Sequence, residues 1–153
     1  TTPVVAHAVA WCLEQGWPLE AVCCIYATAP LIQVEDLHKG LELLQFNSER
    51  YVFSVTSFTS PIQRAFRINT SSKTEMFYPE YFNARSQDLE PAYHDAGQFY
   101  WAKPQTWLAK KSGFDGGLPV ILPRWRVQDI DTLEDWQLAE YICKFLYKEM
   151  NFI

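Results

Sequence analysis

Ala21-Val22-Cys23-Cys24-Ile25-Tyr26-Ala27-Thr28-Ala29-Pro30 is an apolar run that ends in a turn. With no polar alternation over residues 21–26, it predicts a strand buried on both faces, stopped by Thr28-Ala29-Pro30. A helix follows over residues 34–46, and Tyr51-Val52-Phe53-Ser54-Val55-Thr56 predicts the next strand. Strand, loop, helix, strand is the βαβ unit of a parallel sheet, whose ligands gather at the carboxyl ends of the strands. That rule singles out residues 26–31 and 57–61.

Upstream, Thr2-Pro3 suits an N-cap and first-turn proline for a helix through Val4, Ala8, Trp11 and Cys12 to Gly16. Downstream, residues 98–102 predict a strand, 104–110 a short helix, 110–117 a turn and 118–123 another strand. Thr132-Leu133-Glu134-Asp135 is a capping box, followed at helical spacing by Trp136, Ala139, Ile142, Cys143, Leu146 and Met150. Between the second strand and residue 98 the alternation stops. Residues 58–91 interleave Phe66, Phe77, Tyr78, Tyr81 and Phe82 with Arg64, Arg67, Lys73 and Arg85, too apolar for a solvated linker. Such an excursion covers a site or packs on a partner subunit.

A chain of 153 residues, 48% hydrophobic and 16% aromatic, buries a real core and reads as one α/β domain over residues 1–153. A net charge of -5 with no Lys/Arg-rich run argues against nucleic-acid binding. No stretch approaches the roughly 20 apolar residues of a membrane span, and no basic signal-peptide region opens the chain. The expectation is a cytoplasmic protein with no membrane partner. Cys12, Cys23, Cys24 and Cys143 lack metal-ligand spacing and read as buried thiols, with Cys23 and Cys24 on opposite faces of their strand. His7, His38 and His94 are dispersed, and only His94 has neighbours that suggest a role.

Two polar clusters carry the chemistry. Asn83-Ala84-Arg85-Ser86-Gln87-Asp88-Leu89 offers a planar cationic fork for phosphate or carboxylate. Gln128-Asp129-Ile130-Asp131-Thr132 offers two hard oxygen donors of the kind magnesium takes. Asp131 also suits the positive end of the helix that follows. Together they point to phosphorylated or acidic small molecules.

In this order the motifs resemble those of the acylneuraminate cytidylyltransferases, the CMP-sugar synthetases that activate nine-carbon acidic sugars. Ile25-Tyr26-Ala27-Thr28-Ala29-Pro30-Leu31 resembles the family's "Q-P-T-S-P-L" loop, and Phe53-Ser54-Val55-Thr56 its "SVT" strand. The Arg85 to Leu89 stretch resembles "R-x-Q-D-L-P", and Asp129-Ile130-Asp131-Thr132-x-x-Asp135 resembles the "D-I-D-T-x-x-D" metal site. Tyr93-His94-Asp95-Ala96-Gly97-Gln98-Phe99-Tyr100-Trp101 and Pro123-Arg124-Trp125-Arg126-Val127-Gln128 look like the pseudaminate branch. His94, Asp95 and Ala96 replace the Arg, Pro and Asn of the sialate branch, so the contact of that Arg does not transfer.

The resemblance implies a Rossmann-like, mostly parallel nucleotidyltransferase sheet flanked by helices, with residues 58–91 as a homodimerisation excursion. It implies that the family's glycine-rich CTP-binding strand and loop precede residue 1, roughly 70 residues or two βα units. The chain then reads as the carboxy-terminal portion of the enzyme, missing its first strands. CMP would pass from CTP to the anomeric hydroxyl of pseudaminic acid, releasing pyrophosphate, for bacterial surface or flagellar glycans. Asp129 and Asp131 would hold Mg²⁺ at the catalytic centre, with Arg85 and Gln87 orienting phosphate or the sugar carboxylate. Thr28, Tyr93, Gln98, Phe99 and Trp101 are expected at the substrate, Gln33 less so, and His94 donates either to the sugar or to a structural hydrogen bond. Sialic or legionaminic acid remain alternative substrates, and an inert sugar-binding and dimerisation module is the alternative of another class.

Overall fold

The computed structural model describes residues 1–110 and 115–150, with side chains through 146. Part of the turn predicted over residues 110–117 therefore lies outside the described residues, as do residues 151–153. Helix α1 (Thr2–Glu14) leads to strand β1 (Val22–Ile25), helix α2 (Val34–Phe46) and strand β2 (Val52–Ser57). A small hairpin, β3 (Phe66–Ile68) and β4 (Thr74–Met76), precedes the long strand β5 (Tyr93–Ala102). Helix α3 (Pro104–Leu108), strand β6 (Leu118–Ile121) and helix α4 (Leu133–Met150) complete the order. Thr1, not Thr2, is the N-cap of α1, and no side-chain bond caps it.

The main sheet has the order β1-β5-β2-β6. It is mixed where a mostly parallel sheet was expected: β5 pairs antiparallel with both β1 and β2, and β2 with β6 is the parallel pair. The reason is the excursion. Ser57 pairs with Tyr93, and Phe58 N donates to Ala92 O at 3.0 Å, so residues 58–91 leave and return at one point. They act as the loop of a very large hairpin, which forces the returning strand to run antiparallel beside β2. The predicted strand over 98–102 is accordingly longer, starting at Tyr93.

β2 is central, and its side chains separate two cores. Tyr51, Phe53 and Val55 pack with Val9, Ala102 and Trp107 beneath α1 and α3; Val52 packs with Leu44, Phe99, Val120 and Leu122 beneath α2. Cys24 joins the first cluster and Cys23 the second, the alternation expected of adjacent strand residues. β1, however, is an edge strand among the described residues, only half-buried, with Ile25 50% exposed. Its apolar run comes from two-faced packing, not from complete burial. Gly40 lets α2 close onto the sheet, since a β-carbon there would fall 2.7 Å from Trp101 Cδ1.

α4 starts at its capping box: Asp135 N donates to Thr132 Oγ1 at 3.2 Å and Thr132 N to Asp135 Oδ2 at 2.9 Å. Ala139 is buried and Ile142, Cys143 and Leu146 half-buried, as the spacing predicts, whereas Trp136 is exposed and donates to Glu140. In the excursion, the Arg67 guanidinium grips Glu75 with two hydrogen bonds of 2.8 and 3.3 Å across the hairpin. Phe66, Ile68, Phe77 and Phe82 are all more than half exposed beside it.

Candidate active site

The carboxyl ends of β1, β2 and β6 lie together, and a bulge in β5 shapes that end of the sheet. Phe53 pairs with Tyr100, but Val55 pairs with Asp95, so Ala96 to Phe99 face Ser54 alone. The buried Ser54 hydroxyl compensates the broken ladder, accepting from Gln98 N and Phe99 N at 3.2 Å each. Gly97 takes the left-handed conformation, φ +63°, and its N–H donates to Asp95 Oδ1 at 3.0 Å. From β1, Tyr26 N donates to Gln98 O at 3.0 Å and carries the chain into the 26–31 loop.

Asp129 rests on this bulge, its carboxyl carbon 3.7 Å from the point where a β-carbon on Gly97 would lie. Both Asp129 and Asp131 are exposed, and neither carboxylate has a hydrogen-bond or ion-pair partner among the described residues. Asp135 does the holding. Its carboxylate accepts from Thr132 Oγ1 (2.7 Å), Thr132 N (2.9 Å), Gln128 Nε2 (3.0 Å) and Asp131 N (3.3 Å). Those donors, the Thr132 hydroxyl first, keep it below the usual carboxylate range. Two unpaired hard donors on a pinned loop fit a magnesium ion that keeps waters and takes its remaining ligands from phosphates. Among the described residues no group of three or more His, Cys, Asp or Glu converges as a metal cage.

Gln98, expected at the substrate, is 2% exposed and donates through Nε2 to Arg126 O at 2.6 Å. Its Oε1 is buried with no partner. Phe99 has no exposed surface and belongs to the core beneath α2, and the buried Nε1 of Trp101 faces α2 at Gly40. Neither ring has access to a ligand at the sheet end in this arrangement, because strand alternation turns both toward α2. Thr28 and Gln33 are exposed in the loop after β1, with Gln33 at the N-cap of α2.

A second group gathers at the carboxyl end of β2. Gln87 and Ser86 line a cleft of about 480 Å³ with Ser57 to Pro61 and Leu89 to Ala92. His94 packs edge-on against Phe58, 4.8 Å between ring centres, and its Nδ1 lies 2.8 Å from Asp95 O. That contact suits the structural role of the two considered for His94, and the residue is exposed. Tyr93 is 49% exposed, and Arg124 Nη1 approaches Phe58 O at 3.5 Å. Arg85 is exposed with no side-chain hydrogen bond among the described residues.

Sequence reasoning passed over Asp36, Asp95 and Arg126. Asp36 is 2% exposed and bonded to Arg126, although an Asp beside Glu35 in a first helical turn reads as a dipole partner. Asp95 accepts from the Tyr100 hydroxyl as well as from Gly97 N, at the edge of a 210 Å³ cavity walled by Tyr26, Tyr51, Phe53 and Trp107. Burial, then this bond, raises the Tyr100 phenol far above its ordinary range, so it stays a donor. The signal for the bulge was present in Gly97, an isolated glycine inside a strand pattern.

No protein-family profile matches the chain. Comparison with curated proteins finds its similarities among proteins named as cytidylyltransferases, a class of nucleotidyl-transferring enzyme. It is similar to pseudaminic acid cytidylyltransferases from two strains of Campylobacter jejuni, with 40% identity over 149 residues, 97% of this chain. It also matches a Helicobacter pylori protein, "Pseudaminic acid cytidylyltransferase and UDP-2,4-diacetamido-2,4,6-trideoxy-beta-L-altropyranose hydrolase", at 29% identity over 123 residues, 79% of this chain and 23% of that protein. The chain spans 62% of the length of the Campylobacter relatives.

Proposed function

We propose that this chain carries the sugar and metal side of a cytidylyltransferase that passes CMP from CTP to the anomeric hydroxyl of pseudaminic acid. The observation that carries the reading is the 40% identity sustained over 97% of the chain to proteins of that name. The exposed, unpartnered Asp129 and Asp131 at the carboxyl end of the sheet support it.

The hydroxyl oxygen bonds to the α-phosphorus, the bond to pyrophosphate breaks, and the hydroxyl proton leaves. Such transfer depends on positioning and on charge neutralisation. Asp129 and Asp131 hold Mg²⁺, which when bound supplies Lewis acidity and offsets phosphate charge. Arg85 and Gln87 orient phosphate or the sugar carboxylate, Arg85 by its planar fork. The exposed edges of Tyr93 and His94 border the sugar, beside the cleft that Gln87 lines. Use of CTP places the reaction in the bacterial cytoplasm, with the product feeding surface or flagellar glycans.

The exposed Phe66, Ile68, Phe77 and Phe82 support the reading of the excursion as a homodimer contact. Phe82→Glu is expected to shift the protein to the monomer in sedimentation velocity, and an unchanged sedimentation coefficient would remove that part of the reading. Substrate identity is tested by assaying CMP transfer to pseudaminic, legionaminic and sialic acid side by side. Pseudaminic acid is expected to give the largest kcat/KM; preference for sialic acid would overturn the substrate assignment.

A further inference from the structure

Asp36 lies in the first turn of α2 and Arg126 ends the turn at Arg124–Arg126, yet Arg126 Nη1 donates to Asp36 Oδ2 at 2.5 Å. The two side chains are 14% and 3% exposed, and Lys39 adds a 3.5 Å contact to the other carboxylate oxygen. Helix polarity does not require this burial, because an exposed acid complements a helix N-terminus as well. Nor does stability, since a well-packed apolar pair often replaces a buried ion pair without loss. What the pair does is hold the Arg126 side chain against the first turn of α2.

From Arg126 the constraint passes to the bulge. Its carbonyl oxygen accepts from Gln98 Nε2 at 2.6 Å, and Gln98 directly follows Gly97, the residue on which the Asp129 carboxyl rests. The chain from Arg126 to Asp131 is thus held at one end by Asp36 and Gln98. At the other it is held by Asp135, through Gln128 Nε2 and Asp131 N. The Asp129 carboxylate between these anchors has no partner of its own. A ligating carboxylate needs that combination, a fixed backbone and an unused oxygen pair.

We propose that the Asp36–Arg126 pair, acting through Gln98 and the backbone, positions Asp129 for a hard divalent cation. The proposal rests on the reading of Asp129 and Asp131 as cation ligands. Asp36 and Arg126 touch neither cation nor substrate; they are positioning residues, and their loss weakens cation binding by about 10- to 100-fold, the usual effect of an outer-shell partner.

The test uses Mn²⁺ alone, followed by its free-ion paramagnetic resonance signal. The double variant Asp36→Leu/Arg126→Met removes both charges and leaves neither stranded. It is expected to keep the circular dichroism spectrum and melting temperature of the parent while its Mn²⁺ dissociation constant rises about 10- to 100-fold. In turnover, the Mg²⁺ concentration giving half-maximal rate should rise, with kcat restored at saturating Mg²⁺. Gln98→Met leaves the ion pair intact, cuts the same link and should weaken Mn²⁺ binding likewise; it decides the question if the double variant does not fold. Folded variants that bind Mn²⁺ as the parent does would overturn the positioning role. A parent that binds no Mn²⁺, or an Asp129→Asn protein that binds it undiminished, would instead overturn the cation reading beneath it.

Discussion

The Asp129 carboxyl group sits over the open face of Gly97, 3.7 Å from where a side chain would begin, and Gly97 itself is left-handed at φ +63°. The contact joins the loop before α4 to the bulge in β5. A methyl group fits at 3.7 Å, so Gly97→Ala suffers from backbone conformation and not from collision. The expected loss is about 1 kcal/mol, a fall of roughly 2–4 °C in melting temperature for a chain of this size. Differential scanning calorimetry checks this, and an unchanged melting temperature would mean that residue 97 does not adopt this conformation in solution.

Asp129→Asn and Asp131→Asn separate function from stability. Both carboxylates are exposed and unpartnered among the described residues, so each substitution should change stability by less than about 0.5 kcal/mol. CMP transfer should nevertheless fall by about 100-fold or more, the scale seen when charge-stabilising groups are lost. Paired measurements of melting temperature and turnover decide it. A variant that loses stability and keeps its rate would reverse the assignment.

Asp135 governs acid sensitivity. Its folded carboxyl titrates below its unfolded value because Thr132 and its neighbours donate to the charged form. Its contribution is therefore present above the unfolded value, near pH 4, and disappears as pH falls through the lower folded one. Asp135→Asn should flatten the melting-temperature profile below about pH 4. A parallel acid limb in the variant would assign the sensitivity elsewhere. Thr132→Ala, which removes the N-cap hydroxyl, should cost about 1 kcal/mol.

Cys23 is a structural thiol. Burial, then the neighbouring Cys24, pushes it up to about 12, and burial also raises Cys24. In native protein at pH 8, iodoacetamide should leave both unmodified on the timescale that labels them in denaturant, because the thiolate is the reacting form. Folding also protects their protons, so these thiols favour the native state below the unfolded value, near 8.5, and that contribution is lost as pH rises above it. Mass spectrometry of the alkylated peptides supplies the check; rapid native labelling of Cys23 would contradict its burial.

The β1-α2-β2 unit was legible because each part is local: an apolar run, a turn containing Pro30, a helix with acids in its first turn, and a second apolar run. The α4 start was legible for the same reason, through Thr132 and Asp135. The orientation of β5 was not, since it follows from the meeting of Ser57 and Tyr93 across the whole excursion. The site divides likewise. Asp129 and Asp131 were readable as candidate ligands from their spacing ahead of a capping box, and both are exposed without partners among the described residues. Asp36 and Arg126, 90 positions apart, share no local pattern, and no periodicity reveals a pair formed by tertiary packing. Gln98 and Phe99 were placed at the substrate from their neighbourhood in sequence, but the strand turns both inward.

The most direct test is Mg²⁺-dependent pyrophosphate release from CTP with pseudaminic acid, measured together with CMP-sugar formation, for a protein in which the amino-terminal CTP-binding segment of the relatives precedes this chain, and for its Asp129→Asn variant. The account predicts equal yields of both products, dependence on Mg²⁺, and loss of about 100-fold or more in the variant. CMP-sugar formation that survives Asp129→Asn unchanged, or no CMP transfer to any nine-carbon acidic sugar, would contradict it.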